Sequence, residues 1–407
     1  MRVVSRPAGV RSSTRSRPVP RPVPLTVASG VAVIAVAFGL ARYGYGLLLP
    51  DIRADLGFDT TTAGMISSGA YVSYLVANTV VVPLTARTGP RVPIAMAMAT
   101  AGGGMALIAT STSTTQFAVG VLVAGLSAGF AFPPYGDIAS ASIPEDRRNL
   151  AWAAISSGTG WGVLVAGPVA IVSGTSWRSV WWLFAGVALF VGVVATWAAP
   201  ARIRSSAQLP SLRPSWFFCD RSRPLLGSAI LIGFGSSVWW AFSVDALRAA
   251  GTEPDTARVI YALCGAAGIA GLFAGPAVSV LGQRTVHCVS VIGVSASLVA
   301  LATAPAAAAG ALTALLFGVT YNSVIAVQGL WSADVFAQRP SAGLAAVNTG
   351  LTVGTLAGPA IAGLVISWLG YPYALGLAAV ACLAAVLTAP GGRRTPAPVV
   401  RQDGRVS

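Results

Sequence analysis

An arginine interrupts the apolar run 37–50, AFGLARYGYGLLLP. The Arg42 guanidinium is a rigid fork of N–H donors, and such a fork grips a carboxylate, another anion or a carbonyl group through two parallel hydrogen bonds. Two other uses compete with that one: an ion pair with an acid near the end of the run, and snorkelling of the long side chain to the nearer interface. At α-helical spacing Gly39, Arg42, Tyr45, Gly46 and Leu49 share one stripe of mostly small or hydrogen-bonding residues, which suits a cavity wall. Deep in other apolar runs stand Tyr71, Tyr74, Trp161, Trp239, Trp240, Tyr321 and Asn322. The candidates for lining a substrate cavity are Arg42, Tyr45, Tyr71, Trp161, Trp240 and Asn322; interhelical hydrogen bonding or packing is the competing role for each.

Acids are few and stand at the ends of apolar runs. Asp51 and Asp245 follow or close two of them, where they either cap a short loop and pair with Arg53 and Arg248, or form a gate. No acid stands in the middle of a run, so no side chain presents itself as a proton carrier. The single histidine, His287, and four cysteines without paired spacing give no metal site, and no metal or cofactor is expected. A chain with no lysine contains no phosphate-binding G-x-x-x-x-G-K-[ST] loop. An enzyme embedded in the membrane is disfavoured, because no cluster of acids or histidines is present to activate a nucleophile.

The elements that position these residues are apolar helices. Of 407 residues 55% are hydrophobic and 9% charged, a composition that leaves too little polar surface for a water-soluble domain. Twelve runs of about 20 residues, the length that crosses a bilayer core, recur near 27–49, 61–83, 92–111, 116–140, 149–173, 179–199, 224–246, 257–280, 285–304, 307–331, 342–369 and 371–389. The chain reads as an all-α integral membrane protein. With the first helix taken as 27–49, Arg42 lies about 10 Å below its outer end, where a guanidinium costs from about 2.5 kcal/mol upward. All 26 basic residues are arginine. Twenty-one of them fall on the side that holds both termini, which predicts cytoplasmic termini and explains the net charge of +14 without nucleic acid. Residues 1–24 are expected to be a disordered Arg- and Pro-rich cytoplasmic tail on an anionic lipid surface, not a cleaved signal.

The sequence repeats. Residues 51–66, DIRADLGFDTTTAGMI, align without a gap on 245–260, DALRAAGTEPDTARVI, pairing Asp51 with Asp245, Gly57 with Gly251 and Ile66 with Ile260. Gly89 and Arg91 match Gly282 and Arg284, and the AGP at 166–168 matches that at 357–359. The expected organisation is two six-helix repeats, 25–199 and 224–391, joined by a cytoplasmic linker 200–223 and followed by a tail 392–407.

These features resemble the major facilitator superfamily. Its loop signature between the second and third helices survives as Arg87, Gly89 and Arg91 in V-P-L-T-A-R-T-G-P-R, with Val82 and Ala86 replacing a glycine and an aspartate. In the second half Gly275, Gly282 and Arg284 keep the pattern and Ser279 replaces the aspartate. A G-x-x-x-G-P motif stands as Gly354, Gly358 and Pro359, and with altered spacing as Gly162, Gly167 and Pro168. The run 42–57 is similar to that of bacterial transporters named for YbfB and YjiJ. The resemblance implies a latch at the cytoplasmic face, where Asp137 and Asp334 pair with Arg91 and Arg284. It further implies a monomeric secondary transporter of the plasma membrane that moves a small solute by alternating access. A drug or metabolite efflux antiporter is the alternative.

Overall fold

A computed structural model describes residues 23–173, 176–201, 221–303, 307–337 and 340–391. Most of the expected tail 1–24 and linker 200–223, and all of the tail 392–407, lie outside the described residues. Among the described residues twelve helices are long and apolar enough to cross a membrane. In the first half they are α1 Val23–Leu56, α2 Thr60–Thr88, α3 Arg91–Ala109, α4 Thr114–Ser142, α5 Glu145–Val172 and α6 Trp177–Ala198. In the second they are α7 Ser222–Ala249, α8 Pro254–Leu281, α9 Gln283–Thr303, α10 Ala307–Val335, α11 Pro340–Leu369 and α12 Tyr371–Thr388. Helix is the form that satisfies every backbone polar group within one segment, which a bilayer demands.

The duplication is visible in the turns. Gly57 and Gly251 close α1 and α7 at φ of 69° and 89°, and Gly89 and Gly282 stand between α2 and α3 and between α8 and α9 at 79° and 83°. No non-glycine residue has positive φ among the described residues. The repeated glycines therefore mark equivalent left-handed positions that a Cβ would strain. Asp59 caps α2 by accepting from the Thr62 N–H at 2.8 Å, and that bond holds its carboxyl below the ordinary range.

Helix α1 departs from expectation twice. It continues through Pro50 to Leu56, so Asp51 and Arg53 lie on helix and not in a loop. Arg42 is then 14 residues (42 to 56) from the end, about 21 Å at 1.5 Å per residue, near the middle of the span. The helix also contains a π-helical stretch, Ala35–Leu40, in which the Ala41 N–H donates to Val36 O at 2.8 Å and the Tyr43 N–H to Phe38 O at 3.0 Å. One extra residue in a turn rotates everything beyond it by about 100°. The single stripe expected from α-helical spacing is thus split: Gly39 packs on Gly162 of α5, whereas Gly46 packs on the Trp240 carbonyl of α7.

Each half packs its peripheral helix in the same way, α3 on α4 and α6, and α9 on α10 and α12. Between halves, α2 lies on α11, α5 on α8, and the Gly44–Leu56 part of α1 on α7. The first two contacts exchange under the pseudo-twofold. Thr60 Oγ1 donates to Gly363 O at 3.1 Å, and a Cβ at Gly64 or Gly363 would overlap backbone of the opposite helix. Helices α4 and α10 make at most marginal contact, and so do Val23–Ile34 and α7. The halves therefore meet at the end that carries Asp51 and Asp245 and diverge towards the other. Gly354 and Gly358 serve a different contact, letting α11 approach the backbone of α7 within the second half.

A Cβ at position 46 would overlap Trp240 O. Gly46→Ala is expected to hold the halves apart at that end. Spin labels on Thr112 and Glu253 should report a longer distance in Gly46→Ala than in wild type; an unchanged distance distribution would refute the tight contact.

Candidate functional site

Arg42 is half-buried and faces the bundle interior, not lipid. Its guanidinium carbon lies 4.3 Å from the centroid of Tyr71, 4.8 Å from Tyr74, 5.4 Å from Phe38 and 5.9 Å from Tyr43. All four rings are within range of cation–π attraction. Among the described residues no carboxylate pairs with Arg42. Snorkelling and an ion pair, two of the three roles open to it, are not adopted here.

The cage continues across the boundary between halves. Tyr43 stacks on Trp240 of α7 at 4.0 Å between centroids, and Trp240 meets Tyr321 of α10 and Tyr261 of α8 edge-on, each at 5.9 Å. The Tyr261 hydroxyl donates to Tyr43 O at 2.8 Å, where the π-helical stretch has disturbed the regular ladder of α1. Arg42, Tyr43, Tyr45, Tyr71 and Trp240 line one small cavity of about 20 Å³. That is room for a water, not for a substrate.

Three sequence-based candidates make contacts that the sequence does not show. Tyr45 lines the cavity as expected, and its hydroxyl donates to Ala63 O at 2.6 Å while its ring stacks on Phe117, so it also ties α1 to α2 and α4. Trp161 is 46% exposed on the same face of α5 as exposed Val165 and Val172, whereas Gly160 and Gly162 carry that helix's contacts to α8 and α1. It lies outside the cavity. Asn322 donates back along its own helix to Gly318 O at 2.9 Å and packs against Gly268 and Gly271, where α8 tightens into a 3-10 turn at Ile269–Phe273. Its role is interhelical packing. Tyr43 and Phe38 escape the sequence reading: Tyr43, next to Arg42, is off its stripe at α-helical spacing, and Phe38, four residues before it and on the stripe, carries no polar group.

Nine residues beyond Arg42, about 14 Å along the helix, a charge network closes the bundle. Arg53 of α1 donates to Asp245 of α7 at 2.5 Å, and the Tyr371 hydroxyl of α12 donates to the same carboxylate at 2.6 Å. Asp51 of α1 accepts from Arg258 of α8 at 2.9 Å and from Arg248 of α7 at 3.4 Å. Arg258, only 4% exposed, also donates to Asp255 at 3.0 Å and to Ala170 O in the last turn of α5 at 3.2 Å. Asp51 and Asp245 are thus brought together, with Arg53 and Arg248 as their partners across the halves. Arg258 and Tyr371 join them without any signal in local sequence, since both arrive from other helices.

At the opposite end the described residues form no such closure. Arg91 donates through Nε and Nη2 to Ala199 O at 3.3 and 2.9 Å, capping the end of α6, and not to Asp137, which is exposed. Arg284 and Asp334 are both exposed, and none of the ion pairs among the described residues joins them to each other. Among the described residues no group of histidine, cysteine and acids could hold a metal ion.

Two six-helix repeats that close on each other at one end around a mid-membrane cavity define a secondary transporter. The chain matches the sequence model of the Major Facilitator Superfamily over residues 31–247 and belongs to that family. It is similar to a point mutant of the nucleoside transporter NupG, with a TM-score of 0.76, 12% identity, and 89% of this chain and 98% of that one covered. It is also similar to a bacterial homologue of the human lysosomal transporter Spinster, solved inward-facing and unoccupied, with a TM-score of 0.74, 13% identity, and 90% and 95% covered. A chloramphenicol resistance protein of Streptomyces lividans is 30% identical over 220 residues, 52% of this chain and 54% of that protein. The chain thus matches about half the length of that relative.

Asp245→Asn leaves Arg53 without a counter-charge at a half-buried site and should cost the closed end about 3 kcal/mol. The reversal pair Arg53→Asp with Asp245→Arg should recover part of what either single reversal loses in thermal stability. A double variant no more stable than the worse single would show that the two do not act as a pair.

Proposed function

We propose that the protein moves a small organic anion or carbonyl-bearing metabolite across the cell membrane by alternating access, with Arg42 as its anchor. The observation that carries this reading is a guanidinium near the middle of a span, caged by rings and, among the described residues, left without a carboxylate. An anion arriving from water would neutralise it, and the two-pronged geometry would orient the anion. On this reading the protein is a monomer of the YbfB and YjiJ type in the cytoplasmic membrane, with units 25–199 and 224–391. The arginine asymmetry favours both termini inside, so the closed end faces outwards and the present state is open to the cytoplasm. In the opposite state Arg91 and Arg284 leave their present surroundings and latch Asp137 and Asp334. Charge reversal of Arg91 or Asp137 should then abolish transport, and the double reversal should restore it.

Efflux of drugs or metabolites is the second reading, favoured by the chloramphenicol resistance relative and by the aromatic, largely apolar cavity wall. Uptake of labelled organic anions and of neutral amphipathic drugs into proteoliposomes, with and without a pH gradient, separates the two. Arg42→Lys keeps the charge and loses the fork, so it should weaken anion uptake by about tenfold or more. Arg42→Ala should abolish it with thermal stability unchanged or raised. Anion uptake untouched in Arg42→Ala would sink the anchor role.

A further inference from the structure

Arg42 lines the cavity, and among the described residues no carboxylate pairs with it. The ring of Trp240, 5% exposed, lines the same cavity from the other half. A cation so placed attracts an anion that reaches the cavity from water.

The charge count limits that anion. In the closing network Arg53, Arg248 and Arg258 are matched by Asp51, Asp245 and Asp255. Arg42 is left with a single positive charge to neutralise. A second negative charge on the ligand would find no cation among the network's residues and would be stranded in a poorly solvated site.

Shape is set by the wall. The cavity's large side chains are Tyr43, Tyr45, Tyr71 and Trp240, all rings, and the Tyr43–Trp240 stack joins the two halves. Aromatic rings pair favourably with one another, offset-stacked or edge-to-face. A ring lying on this stack touches both halves at once, so its presence is felt by their approach.

Resting on the anion reading above, we infer that the site takes a flat aromatic monocarboxylate. The carboxylate lies on the Arg42 fork, and the ring lies along the aromatic wall that Tyr43 and Trp240 form. The cavity is too small for such a molecule in the present state. Binding therefore requires the rings to part, and the route is from the end where the halves diverge.

The test is titration calorimetry on the purified full-length protein with four probes. These are benzoate, its saturated isostere cyclohexanecarboxylate, the dianion phthalate and the neutral benzamide. Benzoate should bind, and each of the other three should be weaker by about tenfold or more. Cyclohexanecarboxylate or phthalate binding within about threefold of benzoate, and lost in Arg42→Ala, would overturn the aromatic monoacid while leaving the anion carrier standing. Absence of benzoate binding to the wild-type protein would overturn this inference. A neutral drug binding equally well to wild type and Arg42→Ala would remove the anion reading with it.

Discussion

The closed end depends on charge pairs that cross between the halves: Asp51 with Arg248 and Arg258, and Asp245 with Arg53. Arg258 is almost fully enclosed, and a charge in that position persists only if partners replace its water. Its partners come from α1, from α8 itself and from the end of α5. Three helices are thereby held by one side chain. The small residues at Gly46, Gly64 and Gly363 follow from this constraint, since only a close backbone approach brings these carboxylates and arginines within reach. An apolar plug would adhere without preference for water. Ion pairs can be rehydrated when the halves part, which lowers the cost of opening.

Beneath the closure, Arg42 is handled by different physics. Ring quadrupoles stabilise a cation without neutralising it, so the cage holds the guanidinium in place and leaves its charge for something else. Had an acid stood in the cage, the pair would be a structural element and the cavity would have little call on an anion. The π-helical stretch before Arg42 makes the arrangement possible, turning the side chain onto α2 while Gly46 still meets α7.

Much of this is legible in the sequence, and the rest is not for identifiable reasons. The twelve spans and the duplication follow from hydropathy and from matched turn glycines, which are local properties. The depth of Arg42 is underestimated because Pro50 looks like a terminator, yet a proline within the bundle is tolerated when the freed carbonyl finds other partners. The rotation by the π-helical stretch leaves no mark in AVAFGL, and without it Gly39, Tyr45 and Gly46 read as one face. Trp161 and Asn322 read as cavity residues because polarity at mid-depth does not say which way a side chain points. Arg258 aligns with Gly64 of the first repeat, so the repeat itself gives no hint of its part in the closure.

The reciprocity of Asp51–Arg248 and Arg53–Asp245 is one of role and not of position. Each half brings one acid and one arginine near the end of its first helix, and each satisfies the other's. The acids are equivalent in the repeat, but Arg53 aligns with Leu247 and Arg248 with Ala54. The two bridges are therefore not related by the pseudo-twofold, and Arg258 facing Asp51 while Tyr371 serves Asp245 widens the difference. Each bridge can thus be tuned by substitution at one place alone, and the two sides of the closure are free to differ in strength.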